Sequence, residues 1–177
     1  MHKLENPARV TELAPLETLT RLGLREGMTF ADIGAGTGIF TTAAARLTSA
    51  AVCAVDPSEE MRSILASKKS ERQFGKIEIL HDVTEMEKAS VDLALLCTVL
   101  HEIDQKEPFL RQIAERLKPG GRLAIIEFHK TRSPFGPPPE IRLGQEDVAQ
   151  LANASGLKET ERFTLGENFY GICFRAE

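Results

Sequence analysis

The sequence predicts an α/β fold: a doubly wound, mostly parallel sheet of seven strands with a C-terminal antiparallel hairpin. Two observations support this prediction. Five apolar, strand-like segments alternate with helix-like segments between residues 28 and 128, as in a series of β-α units. After one more helix-like segment, two strand-like runs flank the short turn Gly166–Asn168, which is the pattern of a hairpin.

The five strand-like segments are short apolar runs, and the fourth is the most continuous. They are Met28–Gly34, Ala50–Asp56, Lys76–Asp82, Ser90–Leu100 and Arg122–Phe128. The hairpin strands are 159–165 and 169–175. Apolar runs of this length are typical of strands buried in a parallel sheet.

Helix-like segments have apolar residues at helical spacing, or start and stop signals. Pro57 and Ser58 precede acidic residues at the start of one helix, and Pro119 with two glycines stops another. The predicted helices are 11–24, 39–48, 57–69 and 107–117, and a last helix within 144–157 has Gly156 as its C-terminal stop.

Length predicts one domain, since 177 residues can bury a single core. Within it we expect a helical N-terminal segment over 1–27 and a ligand-binding core over 28–128. A proline-rich loop over 129–143 is expected to form a wall of the substrate pocket, and 144–177 to supply the last helix and the hairpin.

Composition excludes several classes of protein. The net charge of −4 argues against broad nucleic-acid binding, which normally needs a basic face. Three cysteines without a CxxC pair predict free buried thiols, no metal site and a reducing, cytoplasmic location. No segment approaches the roughly 20 apolar residues of a membrane span, and the first ten residues lack the apolar run of a signal peptide.

A glycine-rich segment follows the first predicted strand. It consists of Asp32, then Gly34-Ala35-Gly36-Thr37-Gly38, then a helix. Without side chains, the backbone lets a ligand approach closely, and the helix start offers unpaired N–H groups. A pyrophosphate or an amino-acid carboxylate fits that environment.

Two common phosphate-binding patterns are absent here. The dinucleotide pattern G-x-G-x-x-G/A fails because Ile39 occupies its last position, and the P-loop pattern fails because no lysine follows the glycines. The spacing D-x-G-x-G-x-G instead resembles motif I of class I S-adenosylmethionine-dependent methyltransferases. Segments matching this family's later motifs follow in order, around Asp56, around Asp82, at 91–103 and at 117–128.

The match is closest to small enzymes such as the ubiquinone/menaquinone biosynthesis C-methyltransferases. This resemblance implies a Rossmann-like fold, S-adenosyl-L-methionine as cofactor and methyl transfer to an acceptor. Asp32 would orient the methionine end, Asp56 would accept from the ribose hydroxyls, and Asp82 with the N–H of Val83 would bind the adenine. The full set of expected cofactor-binding residues is Asp32, Gly34, Ala35, Gly36, Gly38, Asp56, Pro57, Met61, Asp82, Val83 and Cys97.

Each of these residues also has a purely structural interpretation. Asp56 could simply cap the helix that follows, Asp32 could interact with a helix dipole, and Cys97 is expected to be a packed thiol rather than a nucleophile. His101, after the fourth strand, is the first candidate for a general base, and His129, after the fifth, is the second. Either histidine could equally be structural.

Three other functions compete with a methyltransferase of small molecules. A binding module could keep the cofactor site without catalysis. A nicotinamide-dependent oxidoreductase would use Asp56 in the same way, but Ile39 argues against it. A nucleic-acid methyltransferase is disfavoured by the acidic charge balance and by the absence of an Asn-Pro-Pro-Tyr-like stretch after the fourth strand. The acceptor atom (O, N, S or C) and the oligomeric state stay open.

Overall fold

A computed structural model describes residues 3–176, with side chains from residue 4, so residues 1, 2 and 177 of the predicted domain lie outside it. Seven strands form one sheet. They are β1 (Phe30–Ile33), β2 (Val52–Val55), β3 (Ile77–Leu80), β4 (Val91–Cys97), β5 (Leu117–Phe128), β6 (Leu157–Leu165) and β7 (Phe169–Ala176). Their order across the sheet is β3-β2-β1-β4-β5-β7-β6.

Strands β1 to β5 pair in parallel, whereas β7 runs antiparallel to both β5 and β6. The predicted mostly parallel sheet with a closing hairpin is therefore confirmed. The strand order reverses between β1 and β4, which are neighbours in the sheet although two strands separate them in the chain. In open α/β sheets, ligands bind beyond the carboxyl ends of the strands at such a reversal.

Helices cover both faces of the sheet. They are α1 (Pro7–Leu13), α2 (Pro15–Arg21), α3 (Ile39–Leu47), α4 (Glu59–Glu71), α5 (Lys106–Arg116) and α6 (Gln145–Asn153). Leu19, Phe40 and Leu65 of α2, α3 and α4 join one buried cluster, and Ile113 and Val148 of α5 and α6 join the other. Side chains of β2 alternate between the two clusters, as the two-residue period of a strand requires.

The N-terminal segment differs from the prediction of one helix over 11–24. Two short helices, α1 and α2, meet at Ala14, which has a φ of 38°. Pro15 explains the break, because a proline disfavours the helical conformation of the residue before it. The resulting corner turns α1 away from α2, and the carboxylate of Glu12 on α1 accepts hydrogen bonds from Glu167 N–H and Asn168 Nδ2 in the turn between β6 and β7.

The fifth strand starts at Leu117 rather than at Arg122. Leu117 pairs with Val91, and the register then shifts before Leu93 pairs with Arg122. The Pro-Gly-Gly stretch is thus an irregular part of β5 rather than a turn before it. It stops α5, as predicted, but the chain returns directly into the sheet.

The proline-rich loop over 129–143 is held by the buried guanidinium of Arg142. Arg142 donates to the carbonyls of Pro137, His129 and Thr131 at 2.7–2.9 Å. It also donates to Ser133 Oγ at 2.7 Å and lies 4.8 Å from the centre of the Phe128 ring. One cation therefore organises a segment that has no regular secondary structure apart from a short 3₁₀ turn at Pro139–Ile141.

Neither a membrane-crossing helix nor a metal-binding cluster occurs between residues 3 and 176: no helix there is long and apolar enough to span a bilayer, and no group of three His, Cys, Asp or Glu side chains could hold a metal ion.

Replacing Arg142 with Met should release the loop, because the carbonyls of His129, Thr131 and Pro137 lose their donor. We expect the free energy of unfolding to fall by about 3 kcal/mol, since hydrogen bonds to a charged group contribute about 1.5–3 kcal/mol each and are not additive. Amide hydrogen exchange should accelerate over 129–143. The exposed Arg132→Met in the same loop is the matched control. Unchanged exchange in Arg142→Met would show that the prolines alone fix the loop.

Candidate functional site

A cavity of about 740 Å³ opens at the carboxyl ends of β1, β2 and β4. Its walls come mainly from the segments that follow these strands, together with the first residues of the N-terminal segment. Ten of the predicted site residues line it: Asp32, Gly34, Ala35, Gly36, Asp56, Pro57, Met61, Asp82, Val83 and Cys97. Gly38 is not among the lining residues and instead precedes α3 with a φ of 83°.

The glycine loop is fixed to the end of β2 by backbone hydrogen bonds. The N–H groups of Gly34 and Ala35 donate to the carbonyl of Val55 at 2.8 and 3.0 Å. Gly34 has a φ of 72°, and a Cβ there would overlap the side chain of Val99. A Cβ at Gly38 would likewise overlap Leu65. Both positions therefore require glycine for conformational and for steric reasons.

Asp56 links the glycine loop to the start of α4. One carboxylate oxygen accepts from Gly36 N–H at 2.7 Å, and the other accepts from Ser58 N–H at 2.9 Å. The residue is only 7% exposed, yet it lines the cavity. A carboxylate has about four lone-pair sites, so two backbone donors leave acceptor capacity for a ligand. Ser58, rather than Asp56, is the residue that caps α4.

Asp32 lies in β1, just before the glycine loop, and its side chain points toward Thr41 of α3. It is 3% exposed and accepts a hydrogen bond from Thr41 Oγ1 at 2.6 Å. Burial raises the pKa of this carboxyl from 3.8 to about 6, although the Thr41 hydrogen bonds oppose the change. At neutral pH the Asp32 carboxylate beside the cavity is therefore ionised, although burial disfavours its charge. A perturbed pKa of this kind is typical of functional sites.

Asp82 sits at the exposed side of the cavity, just past β3. Its carboxylate accepts from Thr84 N–H and Oγ1 at 2.8 and 2.6 Å, and Glu85 accepts from the Asp82 N–H, so the two form a capping box. The Thr84 hydroxyl is the main cause that lowers the pKa of Asp82. The residue stays ionised and acts at least as a cap for the 3₁₀ turn Val83–Glu85.

Cys97 ends β4 beneath the cavity. Burial raises the pKa of its thiol to about 12, so the thiolate is absent at neutral pH. The nucleophile in cysteine chemistry is the thiolate. This environment agrees with the prediction of a packed thiol.

His101 lies behind the cavity wall rather than on it. Its Nδ1 is 2.8 Å from the carboxylate of Glu127, which is fully buried, and its backbone N–H donates to the same carboxylate. Burial by itself lowers the pKa of His101, but the hydrogen bond and charge of Glu127 outweigh it, and the net direction is upward. Nε2 is 3.7 Å from Glu102, a residue that does line the cavity.

His129 is far less suited to the predicted role of base. It lines a separate, shallow pocket with Tyr170 and Arg162, and its ring centre is 5.4 Å from that of Tyr170. β5 lies between β4 and β7, one strand beyond the reversal at β1 and β4, and His129 after it is not among the residues that line the cavity. His129 is the first residue of the proline-rich loop, and no other residue of that loop lines the cavity either.

Several residues that line the cavity lie outside the predicted set, and Arg9 and Thr37 are two of them. Arg9 of α1 is 7% exposed and lines the cavity, and nothing in its sequence context signals this. Thr37 lies inside the glycine motif, where its position next to Gly36 could have drawn attention. The Thr37 hydroxyl is buried and, within the described part of the chain, is the one buried side-chain polar atom without a hydrogen-bond partner.

Replacing Asp32 with Asn should stabilise the ligand-free protein at neutral pH. A folded-state pKa of about 6 against 3.8 means that stability falls as pH rises between these values, by about 3 kcal/mol in total. Asn removes this cost and can still accept from Thr41. Urea unfolding should show Asp32→Asn above wild type at pH 7.5, with the difference shrinking toward pH 4. Exposed Asp104→Asn serves as control, and an Asp32→Asn protein less stable than wild type at both pH values would contradict the reasoning.

Comparison with known proteins places the chain among methyltransferases. A family model described as "Methyltransferase domain" matches residues 31–125, more than half of the chain. Demethylmenaquinone methyltransferase from Tropheryma whipplei is 34% identical over 111 residues, which are 63% of this chain and 46% of that protein. A ubiquinone/menaquinone biosynthesis C-methyltransferase from Hahella chejuensis is 29% identical over 67% of this chain and 50% of its own length.

The chain therefore spans about half the length of these curated relatives. A solved structure described as a SAM dependent methyltransferase from Aquifex aeolicus matches much more completely. It superposes with a TM-score of 0.92 at 26% identity, over 99% of this chain and 96% of that one. From the family match and the shared fold, this chain belongs to the methyltransferase-domain family and has the class I S-adenosylmethionine-dependent methyltransferase fold.

Proposed function

We propose that this protein transfers a methyl group from S-adenosyl-L-methionine to a small-molecule acceptor. One observation carries the proposal: the cavity at the strand-order reversal brings together the glycine loop and the acids Asp32, Asp56 and Asp82. The match to methyltransferases supports it. Relatives named for quinone precursors support a small acceptor.

The cavity fits the donor on two independent grounds. The Thr37 hydroxyl is buried without a partner, so a polar ligand would satisfy it. Gly34 and Gly36 present backbone instead of side chain to the cavity, and their loop turns at positive φ.

The expected binding residues fall into groups, one for each part of the donor. Asp32 and the glycine loop would hold its amino-acid end, because they offer a carboxylate and backbone groups at the start of α3. Asp56 would accept from the ribose hydroxyls with its remaining lone pairs. Met61, Asp82 and Val83 would border the adenine, with Pro57 between the two regions.

When bound, S-adenosylmethionine supplies a sulfonium methyl group for in-line displacement. The chain's part is to hold donor and acceptor in line, and well-oriented pairs reach effective molarities of about 10⁵ M or more. Cys97 supplies a neutral wall at the end of β4. We assign His101 a positioning role, since its pairing with Glu127 anchors the segment after β4, and we assign His129 no role in the reaction.

Two alternatives keep part of this assignment. A binding module would hold the donor tightly and methylate nothing. A nicotinamide-dependent oxidoreductase would use Asp56 but would bind a dinucleotide. We further propose that the described core forms one domain with its N-terminal helices and hairpin, and that the three free, buried cysteines fit a reducing, cytoplasmic compartment.

Titration calorimetry with S-adenosylhomocysteine tests the donor site directly. We expect wild type to bind, and Asp56→Asn to bind about 10- to 100-fold more weakly, because an amide cannot accept at both of its ends. Asp104→Asn, an exposed control, should bind like wild type. NAD should give no heat. Absence of heat with S-adenosylhomocysteine in wild type would overturn the proposal.

Catalysis itself needs a second assay. Methyl-labelled donor is incubated with a small-metabolite extract, and label transferred to an extractable compound identifies an acceptor. Wild-type protein that binds the donor but labels nothing would favour the binding module.

A further inference from the structure

We infer that Arg9 of α1 binds a carboxylate group inside the cavity. This inference rests on the proposed function, because it concerns a ligand of the same site, but Arg9 belongs to none of the motifs that led to that proposal. The N-terminal segment thereby becomes part of the binding site rather than a cover for the sheet.

Arg9 is a buried cation that has no anionic partner among the residues that the structure describes. Its guanidinium donates to the carbonyl of Leu4 at 2.8 Å and to Thr98 Oγ1 at 3.0 Å, and both acceptors are neutral. Among the ion pairs of residues 3–176, none includes Arg9. A guanidinium has five N–H donors and stays charged, so donor capacity and charge remain for a ligand.

The other buried arginines are accounted for by the protein. Arg142 donates to carbonyls and a hydroxyl of the proline-rich loop, and Arg116 reaches the carbonyl of Val83 and the carboxylate of Glu115. Neither lines the cavity. Arg9 therefore differs from both in lining the cavity, from Arg142 in donating to only two acceptors, and from Arg116 in having no carboxylate among them.

A second, independent observation points to a ligand at the same wall. The Thr37 hydroxyl is buried, lines the cavity and has no partner. Leu4 connects the two residues, because its carbonyl accepts from Arg9 and its Cδ1 is 2.8 Å from the position of a Cβ on Gly36, next to Thr37. The Thr37 hydroxyl and the Arg9 guanidinium thus lie on either side of Leu4 in the cavity wall.

The charges of the cavity favour a carboxylate over a phosphate. Asp32, Asp56, Asp82 and Glu102 also line it and would repel a dianion. A planar carboxylate carries one charge and matches the two-pronged geometry of arginine. Arg9 and Asp32 both act on the Cys97 thiol, with opposite effects on its pKa, so a positive and a negative group lie near the end of β4. Such a pair is complementary to a zwitterionic amino-acid group.

Two sources of that carboxylate are possible, the amino-acid end of the donor and an acidic acceptor, and calorimetry separates them. S-adenosylhomocysteine and 5′-methylthioadenosine share the nucleoside and the thioether, but only the first has a carboxylate. For Arg9→Met we expect affinity for S-adenosylhomocysteine to fall about 10- to 100-fold and affinity for 5′-methylthioadenosine to stay within about threefold. Arg21→Met, an exposed arginine of α2, should match wild type with both ligands.

If Arg9→Met keeps full affinity for S-adenosylhomocysteine, the carboxylate that Arg9 binds would belong to the acceptor. Benzoate, a simple carboxylate, is then used to test this second source. Benzoate should then raise the Tm of wild type saturated with S-adenosylhomocysteine and leave Arg9→Met unchanged. Equal behaviour of the two proteins in both arms overturns the inference while the proposed function stands. Wild type that binds neither nucleoside overturns the proposed function instead.

Unchanged binding of 5′-methylthioadenosine shows that a variant keeps its fold. Should Arg9→Met not fold, Arg9→Lys is measured in its place, since it keeps the charge and loses the fork. Arg9→Lys should bind S-adenosylhomocysteine severalfold more weakly than wild type, and full affinity in this variant would count against a two-pronged contact.

Discussion

The site depends on how the end of β2 holds the glycine loop that follows β1. The carbonyl of Val55 accepts from two consecutive N–H groups of that loop, and the carboxylate of Asp56 accepts from a third. Neighbouring parallel strands thereby fix the loop's path and the orientation of the acid at once. The contacts between the end of β2 and the glycine loop position two walls of the cavity. The loop depends on Val55 and Asp56 for its path, and Asp56 depends on the loop for its orientation.

Charge is the second constraint on this molecule. The cavity gathers four carboxylates and one guanidinium, and Asp32 keeps its charge in a place where burial disfavours it. Such an arrangement costs stability in the absence of a ligand, and natural proteins keep such costs where binding requires them. The neutral thiol of Cys97 lies near both Arg9 and Asp32 and adds no charge of its own.

Sequence reasoning predicted the sheet and most of the cavity because both depend on local patterns. Apolar runs mark buried strands, and parallel strands bring their carboxyl ends to one edge, so Asp32, Asp56 and Asp82 were found from their place in the chain. Arg9 was missed because its burial depends on a tertiary contact with Thr98, 89 residues away in the chain, which no local pattern reveals. His101 follows the fourth strand as a base would, but the ring turns to Glu127, and no pattern in the sequence reveals that a buried acid on β5 faces it. His129 and the proline-rich loop were assigned to the pocket because they follow the fifth strand, but the His129 ring packs against Tyr170 and the loop folds around Arg142, contacts that no local pattern reveals.

Helix α1 has only seven residues, yet it contacts two distant parts of the fold. Arg9 reaches Thr98 beyond the parallel strand β4, and Glu12 reaches the turn at the antiparallel edge. A short rod anchored at both ends transmits displacement from one anchor to the other. Helix α1 therefore connects the β6–β7 turn to a wall of the cavity, so we expect a change in the length of that turn to move a lining residue that the turn itself does not contact.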